Sequence, residues 1–171
     1  MVYEELDNDS MEELQDKVED DFDQLNAIIS DIVKPYSESL DKYIEFIRDC
    51  LSNGEQPPTN DELEDWCLNL STYIYFAGGM AEQLGIKDDI SKAIYKEVYN
   101  NYRQSDDNKG TIADKNSLAE LASQQEYLTS VCYSRAYKII KSKVENAQEL
   151  LQSCKKVLSH RMQEMELTRI Q

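Results

Sequence analysis

The chain has a single histidine, His160, among its 171 residues. Metal sites built on two imidazoles are therefore disfavoured, as is any Ser/His or Cys/His catalytic arrangement with a supporting histidine. The four cysteines, Cys50, Cys67, Cys132 and Cys154, contain no Cys-x-x-Cys pair and fall on or beside apolar helical stripes. They read as small buried hydrophobes in a reducing compartment. There is no glycine-rich phosphate loop, no nucleophile elbow and no zinc signature, so no enzyme, cofactor or metal is expected. The longest mainly apolar run, residues 73–81, is too short for a bilayer span and contains two glycines. The amino terminus is acidic (Glu4, Glu5, Asp7, Asp9), unlike a secretory signal, and a cytoplasmic chain with no membrane partner is expected.

Glycine (five residues) and proline (three) are also scarce, and residues 111–171 contain neither. Nothing in the backbone chemistry forces a break there, so one continuous helix is expected, capped by Thr111 with Asp114. Its apolar positions settle into a heptad seam: Ile140, Val144, Ala147, Leu151, Cys154, Leu158. Such a helix is roughly 80 Å long at 1.5 Å per residue, whereas a compact chain of this length has a radius of gyration of about 15–16 Å. The sequence reading therefore makes the seam an oligomerisation surface between copies.

The earlier residues divide at turn chemistry. Ser10 with Glu13 is a capping-box pattern, and Met11, Leu14, Val18, Phe22, Leu25, Ile29 and Ile32 mark one face of a first helix. Lys34-Pro35 is expected to end or kink it, with a second helix over residues 37–52 closed by Asn53-Gly54. After Gln56-Pro57-Pro58, Thr59 and Glu62 form another capping box. A third helix carries Trp66, Leu70, Ile74 and Ala77 and stops at Gly85, with Gly78-Gly79 as a bend or close crossing. Asp88 or Asp89 caps a fourth. No stretch alternates with period two. The expected fold is all-α: a bundle of about four helices plus one long coiled-coil-like carboxy-terminal helix. Residues 1–58 form an acidic hairpin, 59–110 a helical pair, and 111–171 the long helix, one structural unit with 59–110.

The formal charge of −16 is unevenly spread. Residues 1–65 hold 21 acidic and 4 basic side chains, residues 66–110 hold 6 and 5, and residues 111–171 hold 7 and 9. The acidic runs Glu19-Asp20-Asp21 and Glu62-Glu64-Asp65 lack the Glu-x-x-His partner of a diiron bundle, and Asp106 to Gly110 has the wrong spacing for a calcium loop. They read as solvated faces, or as an acidic surface that mimics nucleic acid or masks a basic protein partner. On the long helix Arg135, Lys138, Lys141, Lys143, Lys155, Lys156 and Arg161 form a basic stripe, with Tyr133 and Tyr137 a turn apart beside Arg135. Cations neutralise phosphates and aromatic faces stack single-stranded bases, so these nine residues are the candidate nucleic-acid site.

From Tyr99 onward the chain resembles the UvsY-type phage recombination mediators. The likeness lies in Tyr99 and Tyr102 before a polar turn, Gly110 to Asp114 opening a long helix, and the segment from Lys143 through Glu149 to Leu151 leading to Arg161. It covers roughly the last 70 residues, at the level of pattern. The resemblance implies a small, helical, oligomeric protein that binds single-stranded DNA and helps load a recombinase onto strands coated by a single-strand-binding protein. It also implies that the basic positions from Arg135 to Arg161 carry the strand. The acidic first 65 residues have no counterpart in it. The expected function is thus a non-enzymatic phage accessory protein for DNA recombination. The alternatives are an acidic DNA-mimicking inhibitor of a host nucleic-acid enzyme and a structural coiled-coil virion or scaffold protein.

Overall fold

The structure, a computed structural model, describes residues 8–54, 56–105 and 110–170. The sequence reads as frayed over residues 1–9; residues 1–7 of that stretch, and Asp106 to Lys109, lie outside the described residues, while residues 8 and 9 open α1. The chain is all-α. Among the described residues there are four helices, α1 (Asn8–Asn53), α2 (Asn60–Gln104), α3 (Ile112–Ala122) and α4 (Gln124–Ile170), and no strand.

Two of these are longer than local residue preferences suggest. α1 continues through Pro35, which removes an N–H and crowds the carbonyl one turn earlier, a local cost of about 3 kcal/mol. Both Pro35 and Asp31 are exposed, so the disturbed turn faces water. Val33, Ser37, Leu40 and Ile47 are buried on the other side of the helix. Burying one such apolar side chain stabilises by about 1.5–3 kcal/mol, so packing on both sides of the proline outweighs it. Ser10 lies inside α1, which already begins at Asn8, so it does not cap it.

α2 likewise passes through Gly78-Gly79 and Gly85. A Cβ placed on Gly78 or Gly79 would meet nothing within 4 Å, so neither glycine marks a close crossing. Gly85 is different: its missing Cβ leaves room for the Tyr137 ring, whose nearest atom would stand 3.2 Å away. We expect Gly78→Ala and Gly79→Ala each to stabilise the chain by about 0.5–1 kcal/mol, the helix-propensity difference. Urea midpoints of the two variants check this. A loss of stability in both would show that the glycines serve packing.

The carboxy-terminal helix is interrupted at one residue. Ser123, fully buried, adopts φ −105° and ψ 13° and ends α3. Its N–H and its hydroxyl both donate to the Ala119 carbonyl, at 3.0 and 2.7 Å, while its own carbonyl accepts from Tyr127 N–H at 2.9 Å. A serine hydroxyl bonding back one turn bends a helix, and here it separates α3 from α4.

Cross-helix contacts give the directions. Asp88 meets Ser134, Gly85 meets Tyr137 and Pro58 meets Arg161, so α2 and α4 are antiparallel. Lys87 meets Tyr36 and Tyr73 meets Tyr43, so α1 and α2 are antiparallel, and α1 runs with α4. α3 packs on α2 and makes no contact with α1 among the described residues. Leu40, Ile47, Leu63, Trp66, Leu70, Ala147 and Cys154 share one cluster, and Val33, Ala81, Leu84, Ala136 and Ile140 a second.

The proposed seam is therefore covered within one chain. Ile140, Ala147 and Cys154 are buried there, and Val144, Leu151 and Leu158 pack against the same clusters. The seam finds its cover inside the chain because α1 continues past Pro35 and α2 past Gly85. Undivided, the two helices have 46 and 45 residues. At about 70 Å each they are long enough to lie along the whole of α4.

Candidate nucleic-acid interface and the charged helix faces

Once α4 is packed, its nine candidate residues separate. The inward edge takes two of the cations. Lys143 Nζ donates to Asp41 on α1 at 2.6 Å, an ion pair with both groups partly exposed. Arg161 is half-buried and donates to the Pro58 carbonyl, tying the end of α4 to the joint before α2. Tyr137 lies half-buried against Gly85, and Tyr133 is half-buried in the groove lining beside Ile90 and Ile94 of α2. The tyrosines are helix-packing residues in this arrangement and do not present both faces beside Arg135.

The remaining five, Arg135, Lys138, Lys141, Lys155 and Lys156, are exposed and make no ion pair with a described residue. Arg135, Lys138, Lys141 and Lys156 lie on the outward side of α4, opposite Ala136, Ile140 and Ala147, interrupted by exposed Glu145 and Glu149. Lys155 stands towards Cys67 of α2; burial pushes that thiol up, and the lysine charge partly counters the rise. α4 carries eight cations against five carboxylates, the reverse of the balance on α1 and α2.

A polar node that the sequence reading missed lies where α2 meets this region. Asp88 is buried in mid-helix, so it is not a cap. It accepts from Ser134 Oγ on α4 at 2.5 Å and from Lys92 Nζ at 2.7 Å. Burial alone would raise its pKa. The bonds from Lys92 and Ser134, with the charges of Lys92 and Lys138, outweigh that and hold it below the usual aspartate value. Lys92 at the i+4 position was the only local signal for this role. Ser134 is invisible as a partner until α4 is placed.

The opposite charge sits on the first half of α1. Glu13, Asp16, Glu19, Asp20 and Asp23 are exposed there, and no ion pair with a described residue neutralises them. The apolar residues of the same segment are exposed as well, a point the periodicity alone did not reveal. Among the described residues no three potential metal ligands stand together, and no helix is long and apolar enough to cross a membrane.

Comparison with protein-family models, with curated proteins and with solved structures finds no match. The functional reading thus rests on the chain's own geometry and on the pattern likeness of its last 70 residues.

Proposed function

We propose that the chain is a non-enzymatic accessory protein that handles single-stranded DNA, in the manner of a recombination mediator. The observation that carries this reading is the outward face of α4, where Arg135, Lys138, Lys141 and Lys156 are exposed and unpaired among the described residues. Their spacing along one rigid helix suits successive phosphates. Lys143, Arg161, Tyr133 and Tyr137 support that helix from within and are not strand ligands in this reading. Affinity is modest, because the acidic α1 repels phosphate and no aromatic platform accompanies the cations.

The test is a titration of a fluorescent oligonucleotide with the full-length protein at several salt concentrations. Four phosphate contacts give a slope of log K against log salt of about −3, from −0.7 per contact on single strands. Arg135→Glu with Lys138→Glu is expected to weaken binding at least about 30-fold at low salt, since it replaces two attractions by two repulsions. Absence of binding by the parent protein, or indifference to the double substitution, removes the proposal.

A second reading has its own observation in the exposed carboxylates of α1. A helix bearing Glu13, Asp16, Glu19, Asp20 and Asp23 on its water side could occupy a basic protein surface where DNA would lie. That reading predicts no affinity for the oligonucleotide and salt-sensitive binding to a basic protein.

A further inference from the structure

Apolar surface without a partner lies at the amino-terminal half of α1, far from the seam that periodicity selects. Met11, Leu14, Val18 and Phe22 remain 43, 56, 64 and 57 % exposed. They repeat at spacings of 3, 4 and 4 residues, and Leu25 and Ile28 continue the row. This segment touches nothing that would cover it, because α3 packs on α2 and makes no contact with α1 among the described residues. Where α1 rejoins the bundle, the row runs into a groove of about 610 Å³ between Leu25, Ile28 and Ile32 of α1 and Leu128 and Cys132 of α4. Row and groove adjoin, and Asp21, Gln24, Gln124, Gln125 and Thr129 supply the polar part of the groove lining.

We infer that a second copy of this chain covers it, the first halves of the two α1 helices pairing antiparallel about a two-fold axis. Three observations select this occupant. Placing Met11 at heptad position a puts Leu14, Val18, Leu25 and Ile28 in the a/d seam and Glu13, Asp16, Glu19, Asp20 and Asp23 at b, c and f, away from it. The flanking e and g positions hold Gln15, Lys17, Phe22 and Gln24, with no carboxylate to repel an identical helix. A basic partner, by contrast, would be drawn to the far side of α1 and would leave the apolar row uncovered.

The second observation is the area. Met11, Leu14, Val18, Phe22, Ile28 and Leu128, each roughly half exposed, leave on the order of 600 Å² of largely apolar surface per copy. A stable interface buries about 800 Å² per partner, of which roughly 56–65 % is apolar. The exposed surface meets that requirement. The third is the groove. Antiparallel pairing sets Met11 of one copy opposite Ile28 of the other and Leu14 opposite Leu25, so each helix tip enters the other's groove. Parallel pairing would leave both grooves open. An isologous contact of this kind closes at two copies.

Asp21 is the one carboxylate in the seam, at a d position one turn after Lys17. In this register it stands opposite Val18 of the other copy, a carboxylate set against an apolar side chain, which costs affinity. The association goes beyond the strand-handling proposal and does not depend on it, and it is measured without DNA.

Sedimentation equilibrium of the full-length chain is the experiment, at low and at high salt. The expected species is a dimer of the 19.8 kDa chain. Its dissociation constant falls as salt rises, because the two acidic helices repel at long range. Leu14→Glu with Val18→Glu should make it monomeric, and Asp21→Leu should tighten it at least tenfold. Lys17→Glu with Gln24→Glu, which leaves the apolar row intact and sets carboxylates across from each other along the g flank, should weaken it at least tenfold. Leu68→Glu, an exposed position on α2, should change nothing. A monomer at 100 μM overturns the inference. So does a dimer indifferent to the Leu14/Val18 pair, or one that Asp21→Leu weakens.

Discussion

Ile140→Ala is expected to destabilise the folded chain by about 2–5 kcal/mol, the range for removing a fully buried large aliphatic side chain. For a chain of this size that lowers Tm by roughly 5–15 °C. Ile140 is 0 % exposed, in a cluster with Val33 of α1 and Ala81 and Leu84 of α2, with Ala136 one turn before it. Three helices close over the position, so the cavity left by truncation has little freedom to collapse. Because those helices belong to one chain, the difference in Tm between variant and parent should be the same at 1 and 100 μM. An intermolecular seam at Ile140 would behave otherwise: truncation would weaken association there, so the difference between variant and parent would itself change with concentration. Thermal melts at the two concentrations decide between the two arrangements.

How far the fold could be read in advance depended on the scale of the signal. Periodicity over whole helices was legible, and so was the chemistry of two helix starts. Thr59 with Glu62 and Thr111 with Asp114 both form reciprocal capping boxes, in which side chain and backbone satisfy each other. α1 does not end at Pro35, where an end or a kink was expected, and α2 does not end at Gly85. Each expectation rests on a local preference of about 1–3 kcal/mol, which burial of a few flanking side chains exceeds. Ser123 erred in the other direction, since a serine in a run free of glycine and proline gives no warning of a bend. Only its burial against Ala119 makes the back-bonded hydroxyl effective.

The charged surface was legible in part, for a related reason. A heptad pattern marks the apolar seam of α4, and Ile140, Ala147 and Cys154 of it are buried, though within the chain and not between copies. It does not tell what lies beside the seam. Lys143 and Arg161 flank the buried face, where their fate depends on whether a carboxylate or a free carbonyl stands opposite. Asp41 and the Pro58 carbonyl do. The same uncertainty hid the first half of α1. Met11, Leu14, Val18 and Phe22 have the pattern of core residues, and pattern alone cannot distinguish a stripe buried in its own chain from one that awaits another.

Acid should expose the Asp88 node. Replacing Asp88 by alanine removes two bonds to a carboxylate and strands Ser134 Oγ in a part-buried contact. Bonds to a charged group contribute about 1.5–3 kcal/mol when made. Lys92 is 47 % exposed, so water screens its share, and the bond from Ser134 carries much of the effect. A loss of about 2 kcal/mol at pH 7 is expected. The pH dependence follows from the direction of the shift. The folded-state pKa of Asp88 lies below its usual 3.8, so the unfolded chain binds this proton more readily. The stabilisation is complete above the unfolded value and is lost as pH falls through the folded one. Urea midpoints from pH 6 to pH 2.5 should therefore fall more steeply for the parent than for Asp88→Asn, which keeps an acceptor but cannot ionise. Glu38, Glu62 and Asp114 also titrate low, each held down by a neighbouring donor. They are common to both proteins and cancel in the difference. Parallel curves for parent and Asp88→Asn would mean that the charge on Asp88 contributes nothing to holding α2 against α4.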